Sequence, residues 1–362
     1  MSESLYFRRQ GLLSMIGGVS VLDAPRLSVR DRDQANSFIR SYGYNLEDKD
    51  DEQVVYSYFR QAVTFLEDRF AKEEGFSLFE LFDNNGVENA QTLLVAASNR
   101  DSDYVKLQKW ACATLKVMHV MAHLNNDLYS IFDNEIREQV LSPIQSFVVD
   151  DSIQGATFLQ SEDEKIRLNK FEFKPVKNQQ SGVIKLLAKR NLVALNILDR
   201  IGVRFVTKNT FDIFKVLRFL VDNSLVSYPH CIVNEVVNTV YPTEMFLEVM
   251  DTLRAKNSKM SSKEISVLLE NKLQSKGGNV DYQVKENIFT DPDYRFIKFI
   301  SRKLIRIDVK KNDKKERVQF FYPFEVQIMR HDTYLNNMRG PLSHDEYKKR
   351  QLKAARLRLF GD

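Results

Sequence analysis

The sequence predicts an α+β fold, with a helical N-terminal domain followed by a domain built on a mixed β-sheet. Two observations carry this prediction. Through residues 1–150 apolar side chains recur at helical spacing, whereas beyond residue 153 they fall in the short, alternating runs of strands. The 362-residue chain is also long enough for about two domains. The predicted domains are residues 1–150 (helical), 151–335 (α+β) and a basic C-terminal helix at 336–362.

In the helical half, three segments carry the strongest helical periodicity. Residues 51–70 place apolar side chains on one stripe, and a short second helix is expected over 77–82. Ser102 or Asp103 can cap a third, long helix that runs to about residue 132.

The first part of the α+β half alternates strands with helices. Residues 153–160 and 166–173 are predicted strands, the second because charged and apolar side chains alternate along it. A helix is expected over 181–198, then a short buried strand over 202–207 and a helix over 211–223. This order is typical of an α+β domain rather than of a helical bundle.

The last part returns to the sheet. Helices are predicted over 243–254 and 262–273, and strands over 295–309 and 317–329, joined by a lysine-rich turn. The chain ends in a predicted helix over 343–360. The sheet should therefore have about five strands.

Composition excludes several classes of protein. Apolar residues make up 43% and charged residues 28%, which argues against a disordered chain. With 53 basic and 49 acidic residues, the net charge of +4 does not by itself indicate nucleic-acid binding. No apolar run approaches the roughly 20 residues of a membrane span. Two distant cysteines, Cys112 and Cys231, favour a reducing, cytoplasmic location.

Two acids stand in places where an acid is costly. Asp199 lies at the mouth of a predicted buried strand, and Glu325 lies inside an apolar-flanked strand. Lys185 and Lys189 lie one turn apart on a predicted helix. Two carboxylates with a cationic helix face suit a Mg²⁺-nucleotide site. The alternative is that Asp199 caps a loop, Glu325 faces solvent and the lysines are solvated, and spacing alone favours this alternative.

The order of these pieces matches a known family. Residues 165–335 resemble the synthetase domain of RelA/SpoT-type (p)ppGpp synthetases. That domain has a basic helix, an Asp-x-x-Gly-x-Arg-like strand entry and a late Glu-x-Gln-Ile-Arg strand. The matching residues here are Asp199, Gly202 and Arg204 in the first motif and Glu325, Gln327 and Ile328 in the second, with Met329 before Arg330.

The resemblance implies roles for these residues and Mg²⁺ as a cofactor. Three cations would bind the phosphates of ATP: Lys185, Lys189 and Arg204. Asp199 and Glu325 would hold the metal, and Glu325 would also activate the acceptor hydroxyl as a base.

The acceptor loop departs from the family pattern. Tyr294, which in the family stacks on guanine, is retained, and Lys298 is the other predicted acceptor-binding residue. Asp293 replaces a glycine, Phe296 replaces a serine and Lys298 replaces a histidine. These changes predict that GTP and GDP are poor acceptors. None of the family's hydrolase signature is found in the helical half.

Two functions follow as expectations. The first is a divergent nucleotidyltransferase or pyrophosphokinase that transfers a group from Mg²⁺-ATP to a hydroxyl of a nucleotide or RNA. The alternative is a catalytically degenerate member of the fold that senses a nucleotide or binds RNA or protein. No membrane partner is expected, and the sequence does not specify an oligomeric state.

Two further motifs have competing interpretations. The C-terminal helix, rich in lysine and arginine up to Arg358, could track RNA phosphates or be a solvated face whose Ala355 and Leu359 pack inward. His119 and His123 have zinc-like spacing, but the glutamate of a metalloprotease motif is missing. We therefore interpret them as ordinary helix residues.

Overall fold

A computed structural model gives the fold of the chain. It describes residues 20–23, 27–125, 131–151, 156–174, 179–189, 198–276, 282–283, 295–311, 314–338 and 344–361. The chain divides into two compact units that differ from the predicted linear domains. The first comprises residues 1–127, 177–196 and 350–362, and the second comprises residues 128–176 and 197–349. Segments distant in sequence therefore fold together in each unit.

The first unit is helical. Its helices are α1 (Arg32–Arg40), α2 (Lys49–Leu66), α3 (Leu78–Asp83), α4 (Ala90–Ser98), α5 (Val105–Asn125) and α7 (Gln179–Ala188), together with the end of α12 (His344–Phe360). Local capping explains several boundaries. The Asp48 side chain accepts from Asp50 N at 2.8 Å before α2, and Ser77 Oγ accepts from Glu80 N at 3.3 Å before α3.

The second unit is α+β, as predicted. Its strands are β1 (Val148–Asp151), β2 (Ala156–Gln160), β3 (Lys165–Phe173), β4 (Gly202–Thr207), β5 (Val237–Asn238), β6 (Ile297–Lys311) and β7 (Lys314–Arg330). Its helices are α6 (Asp133–Gln145), α8 (Thr210–Asp222), α9 (Thr243–Ala255), α10 (Ser262–Ser275), α11 (His331–Met338) and the beginning of α12.

Among the residues that the structure describes, one mixed sheet of seven strands organises the second unit, in the order β1-β2-β3-β4-β7-β6-β5. All neighbouring strands are antiparallel except β4 and β7, which are parallel. Residues 208–313 connect the two parallel strands. The long β6–β7 hairpin pairs without a register shift from Ile297 opposite Ile328 to Lys311 opposite Lys314.

One face of this sheet is an apolar core. Val203, Phe205 and Val326 are fully buried there, and α6 and α8 contribute Ile136, Val216 and Phe219 to the same cluster. Side chains alternate between the faces of a strand, so the intervening residues of β4 and β7 lie on the opposite face. That opposite face carries the candidate site.

The structure extends and corrects the predicted elements. The sheet has seven strands rather than about five, and the predicted helix over 181–198 ends at Ala188, with residues 190–197 outside the described part. Helix α6 has no counterpart among the predicted elements. It contains Pro143, and it forms because Ile136, Val140 and Ile144 are buried against the sheet.

Candidate functional site

Backbone register gathers charged side chains on one face of the sheet. In the parallel β4–β7 pair, Gly202 lies opposite Glu325 and Arg204 lies opposite Gln327. In the antiparallel β3–β4 pair, Glu172 lies opposite Arg204. Opposed residues share a face, so these strands form one surface. We call this surface the charged face, and its polar members are Lys170, Glu172, Lys174, Arg204, Lys298, Glu325 and Gln327.

Glu325 is the most buried acid of the charged face. Its side chain is only 3% exposed, and the ammonium group of Lys174, 19% exposed, forms an ion pair with its carboxylate. The backbone brings the two together, because Lys174 N donates to Gly202 O at 2.8 Å and Glu325 N donates to Ile201 O at 2.8 Å. A carboxylate taken out of water at this depth requires such a partner.

A residue without a Cβ atom fits at position 202, because the Glu325 backbone and the side chains of Lys174 and Glu325 lie close to it. A Cβ atom at this position would lie 2.9 Å from Lys174 Cδ and 3.3 Å from the carbonyl oxygen of Glu325. The glycine of the Asp-x-x-Gly-x-Arg motif therefore makes room for the Lys174–Glu325 pair.

Arg204 is held by two strands at once. Its Nε donates to Gln327 Oε1 at 2.9 Å, and its Nη1 donates to Glu172 Oε1 at 2.5 Å. The ring of Tyr334, from α11, lies 6.0 Å from the guanidinium. The planar guanidinium is thus fixed in orientation, which suits it to bind a phosphate with its remaining N–H groups.

Glu172 is shared by three neighbours. Besides Arg204, Lys170 Nζ lies 2.9 Å from its other carboxylate oxygen, and the Tyr334 hydroxyl donates to that oxygen at 3.3 Å. Desolvation acts to raise the pKa of Glu172, but the Lys170 hydrogen bond and the charges of Arg204 and Lys170 outweigh it and lower that pKa. Lys170 Nζ also donates to the Tyr334 hydroxyl, and the hydrogen bonds first with Tyr334 and then with Glu172 raise the pKa of Lys170. Glu172 and Lys170 are therefore both charged at neutral pH.

The structure brings three of the predicted site residues to the charged face. Arg204 and Glu325 lie on adjacent strands, and Lys298 lies opposite Gln327 on β6. Asp199 is half-buried and precedes β4 by three residues. Tyr294, the other predicted acceptor residue, lies outside the described residues, as does Asp293.

Lys185 and Lys189 are not part of the α+β unit. Lys185 is on α7 and Lys189 directly follows it, and both belong to the helical unit rather than to the α+β unit that contains Asp199 and Glu325. Within its own unit, α7 packs against α5. The part of the predicted site found within the α+β unit thus consists of Asp199, Arg204, Lys298 and Glu325.

Sequence reasoning missed Lys170, Glu172 and Lys174. A signal was present, because these three residues alternate along β3 and the segment after it, and period-2 alternation places them on one face. Their partners could not be identified in this way. The pairing of β3 with β4 and of β4 with β7 joins segments far apart in the sequence.

The carboxylates of Asp199 and Glu325 are the candidate ligands for Mg²⁺. This ion takes oxygen ligands and is commonly bound by one or two protein carboxylates together with substrate phosphates. Asp199 and Glu325 meet that chemical requirement, although the Glu325 carboxylate is bound to Lys174. Among the residues that the structure describes, no group of three or more His, Cys, Asp or Glu side chains could hold a metal. Asp199 and Glu325 nevertheless supply carboxylate oxygens of the kind that Mg²⁺ takes.

Two arginines of the C-terminal helix α12, Arg356 and Arg358, bind acidic side chains of the helical unit. Arg358 is 7% exposed, donates through Nε and Nη2 to the Asp23 carboxylate at 2.8 Å each, and donates through Nη1 to the carbonyl of Leu186 at 3.0 Å. Arg356 forms an ion pair with Glu74. Ala355 and Leu359 are buried, as predicted for the apolar stripe. Arg358 therefore links three segments of the helical unit and is not available to bind RNA.

The histidine pair on α5 is part of a small polar cluster. His119 Nδ1 lies 3.0 Å from the Tyr42 hydroxyl, and the His119 and His123 rings are 4.4 Å apart. Burial first, then His123 and the guanidinium of Arg358, lowers the pKa of His119 to about 4. His119 is therefore neutral at physiological pH.

Comparisons with known proteins add no information on the site. No protein-family model matches the chain, and a search of curated proteins finds no match either. Across the part of the chain that the structure describes, no helix combines the length and apolar character needed to cross a membrane.

Proposed function

We propose that the α+β unit transfers a pyrophosphoryl or nucleotidyl group from Mg²⁺-ATP to a hydroxyl acceptor, as a divergent relative of the RelA/SpoT-type synthetases. AMP is the leaving group in the first case and pyrophosphate in the second. The observation that carries this proposal is the charged face. It gathers four cations, Lys170, Lys174, Arg204 and Lys298, around two carboxylates, Glu172 and Glu325, on a half-buried sheet surface. An excess of positive charge with a buried acid at its centre suits a triphosphate.

Each residue then has a definite task. Arg204, fixed by Glu172 and Gln327, would bind phosphate oxygens, and Lys174 would pass from Glu325 to the phosphates when ATP binds. Glu325, released from its lysine, would take the proton of the acceptor hydroxyl. Asp199 would hold Mg²⁺ with Glu325, and the metal would neutralise phosphate charge. Cys112 and Cys231 do not form a disulfide with each other, which supports a reducing location such as the cytoplasm.

A second candidate function is a non-catalytic nucleotide-binding member of the same fold. The observation in its favour is that both carboxylates of the charged face already have cationic partners, Glu325 in Lys174 and Glu172 in Arg204 and Lys170. A protein that only binds phosphates would retain the cations and have no need of a base. Turnover by the wild type would decide against this candidate.

Calorimetric titration with ATP, with and without Mg²⁺, tests the proposal. We expect Mg²⁺-dependent binding that R204Q weakens about tenfold or more, because a charge-assisted hydrogen bond to phosphate is worth about 1.5–3 kcal/mol. D199N should weaken only the Mg²⁺-dependent part. The matched control is R167Q, an exposed arginine of β3, which should bind as the wild type does. The absence of Mg²⁺-dependent ATP binding up to millimolar concentration would refute the proposed enzyme.

A further inference from the structure

The β6–β7 hairpin carries a second positively charged surface. Its strands run 15 and 17 residues, well beyond the short strand β4, and their register is continuous. On one face the exposed basic residues are Arg302, Arg306, Lys310, Lys315 and Arg317, and the exposed acid is Asp308. We call this face the basic ribbon. Because side chains alternate strictly along both strands, it is continuous with the charged face at Lys298 and Glu325.

The opposite face of the hairpin packs in the apolar core, which leaves the basic ribbon on the exposed side. Ile305 and Ile307 are buried in the apolar core, where Phe320 and Tyr322 pack against them. The side chain of Gln139, on α6, bonds the backbone N–H and carbonyl of Arg306 at 3.0 and 2.8 Å. The ribbon is thus anchored from behind and along one edge, and its basic side is presented outward by a fixed backbone.

An aromatic side chain interrupts the basic residues. Phe321 is 46% exposed, the His230 ring lies 4.7 Å from it, and the Arg302 guanidinium lies 5.6 Å from its centroid. Nearby Tyr228 is 75% exposed. Exposed rings beside arginines form a stacking platform, the feature by which single-stranded nucleic acids are held in addition to their phosphates.

We infer that the basic ribbon binds a single-stranded nucleic acid, with phosphates along its arginines and lysines and a base stacked at Phe321. Charge complementarity argues for a polyanion, and the exposed ring favours one with bases over an acidic peptide. From Arg302 to Lys310 the ribbon spans about 26 Å at roughly 3.3 Å per residue, enough for several nucleotides. Nucleic-acid binding by the basic ribbon does not depend on catalysis at Glu325. Only the further idea, that the bound nucleic acid supplies the acceptor hydroxyl, rests on the proposed function.

Fluorescence anisotropy with labelled 12-nucleotide RNA and DNA of one sequence, over 50–300 mM salt, tests this inference. We expect affinity to fall with salt, by about 0.7 in log–log slope for each phosphate contact. The triple variant R302Q/R306Q/K315Q should reduce that slope by about 2. F321A should weaken binding about 5- to 150-fold and leave the slope unchanged, because stacking carries no counterion release.

Matched controls separate this surface from the others. K348Q/K353Q removes two exposed cations of the C-terminal helix and should bind RNA as the wild type does. E325Q should also bind normally, so loss of ATP turnover and loss of RNA binding remain separate failures. Circular dichroism and thermal melting establish that each variant is folded.

Three results would overturn the inference: no binding at 50 mM salt, loss of binding in K348Q/K353Q but not in the ribbon variants, or tighter binding of a polyglutamate peptide that F321A leaves unchanged. The last would identify an acidic protein as the partner. A preference for RNA over the matched DNA would identify the 2′-hydroxyl as part of the recognition.

Discussion

The two faces of the β4–β7 strand pair differ in chemistry from Gly202 to Arg204, although they are built from alternating residues of the same strands. On one face Val203, Phe205, Val326 and Ile328 are fully buried among aliphatic and aromatic neighbours. On the other, Gly202 and Arg204 lie beside Glu325 and Gln327. At the far end of this second face, Val206 and Met329 are again buried, in a cluster with Phe296 and Tyr334. The charged region is therefore local.

The difference shows what folding requires and what it does not. The apolar face stabilises the sheet through buried area, and any well-packed set of similar volume would serve. The charged face removes an acid and a lysine from water, which often contributes nothing to stability compared with an apolar pair. Charges kept at such a position are more easily explained by a site than by the fold.

The largest expected effect is on catalytic turnover, and it distinguishes the charged face from the apolar face. E325Q retains the shape of the side chain but cannot accept a proton, so turnover should fall about 10²- to 10⁴-fold. V326A, one residue away on the apolar face, should keep the turnover of the wild type per folded molecule. Single-turnover assays with ATP and a set of hydroxyl acceptors, nucleotides and RNA, would measure both. Equal losses in the two variants would contradict a catalytic role for Glu325.

The next effect separates the faces by stability. K174M leaves the Glu325 carboxylate buried without its cation and should lower the free energy of unfolding by about 3–5 kcal/mol. The double variant K174M/E325M replaces the pair with apolar side chains and should recover most of that loss. Urea unfolding followed by circular dichroism measures the three proteins. A K174M protein as stable as the wild type would mean that water already solvates Glu325.

A smaller effect concerns the glycine between the two charges. G202A places a methyl group 2.9 Å from Lys174 Cδ and 3.3 Å from the Glu325 carbonyl oxygen, so the lysine has to shift. We expect a loss of about 1–2 kcal/mol in stability, within the range of ordinary point substitutions. G182A, inside α7, meets only the Leu124 side chain at 3.3 Å and should be neutral or slightly stabilising. Urea unfolding would show whether G202A costs more than G182A.

The smallest effect lies in the helical unit and contrasts its histidine pair with the charges of the sheet. The pKa of His119 is lowered to about 4 from 6.5, so the native state binds fewer protons than the unfolded state between those values. Its contribution to stability is therefore present above pH 6.5 and is lost as the pH falls toward 4. Thermal melting at pH 7.5 and 5 should show a smaller decrease for H119Q than for the wild type. An equal decrease would show that His119 is already accessible to protons.

The prediction of the second unit from sequence succeeded where local pattern was sufficient. The strand over 202–207 is observed with those bounds, and the hairpin and the helices on either side of residue 260 lie close to their predicted places. Residues 133–145 and 331–338 gave weaker patterns, and their helices form because they pack on the sheet. The two-residue strand β5 is too short to produce any periodic signal.

The candidate site shows the same limit more sharply. Asp199 and Glu325 could be selected from sequence because an acid among apolar residues is unusual, whereas Arg204 was selected only through the resemblance to RelA/SpoT-type synthetases. Alternation places Glu172 and Lys174 on one face, but it does not show that this face meets Arg204 and Glu325, because β3 carries charges on exposed and half-buried positions alike. Only the strand pairing distinguishes these positions.

The sequence alone determined that this chain has a helical region and a mixed sheet, and that Glu325 lies in an apolar strand. These properties follow from periodicity and from the cost of burying charge, which act locally. The tertiary structure alone decided that Lys174 is the partner of Glu325, that Lys185 belongs to the helical unit, and that Arg358 is buried against Asp23. Each of these depends on contacts between segments far apart in the chain, which no local pattern encodes.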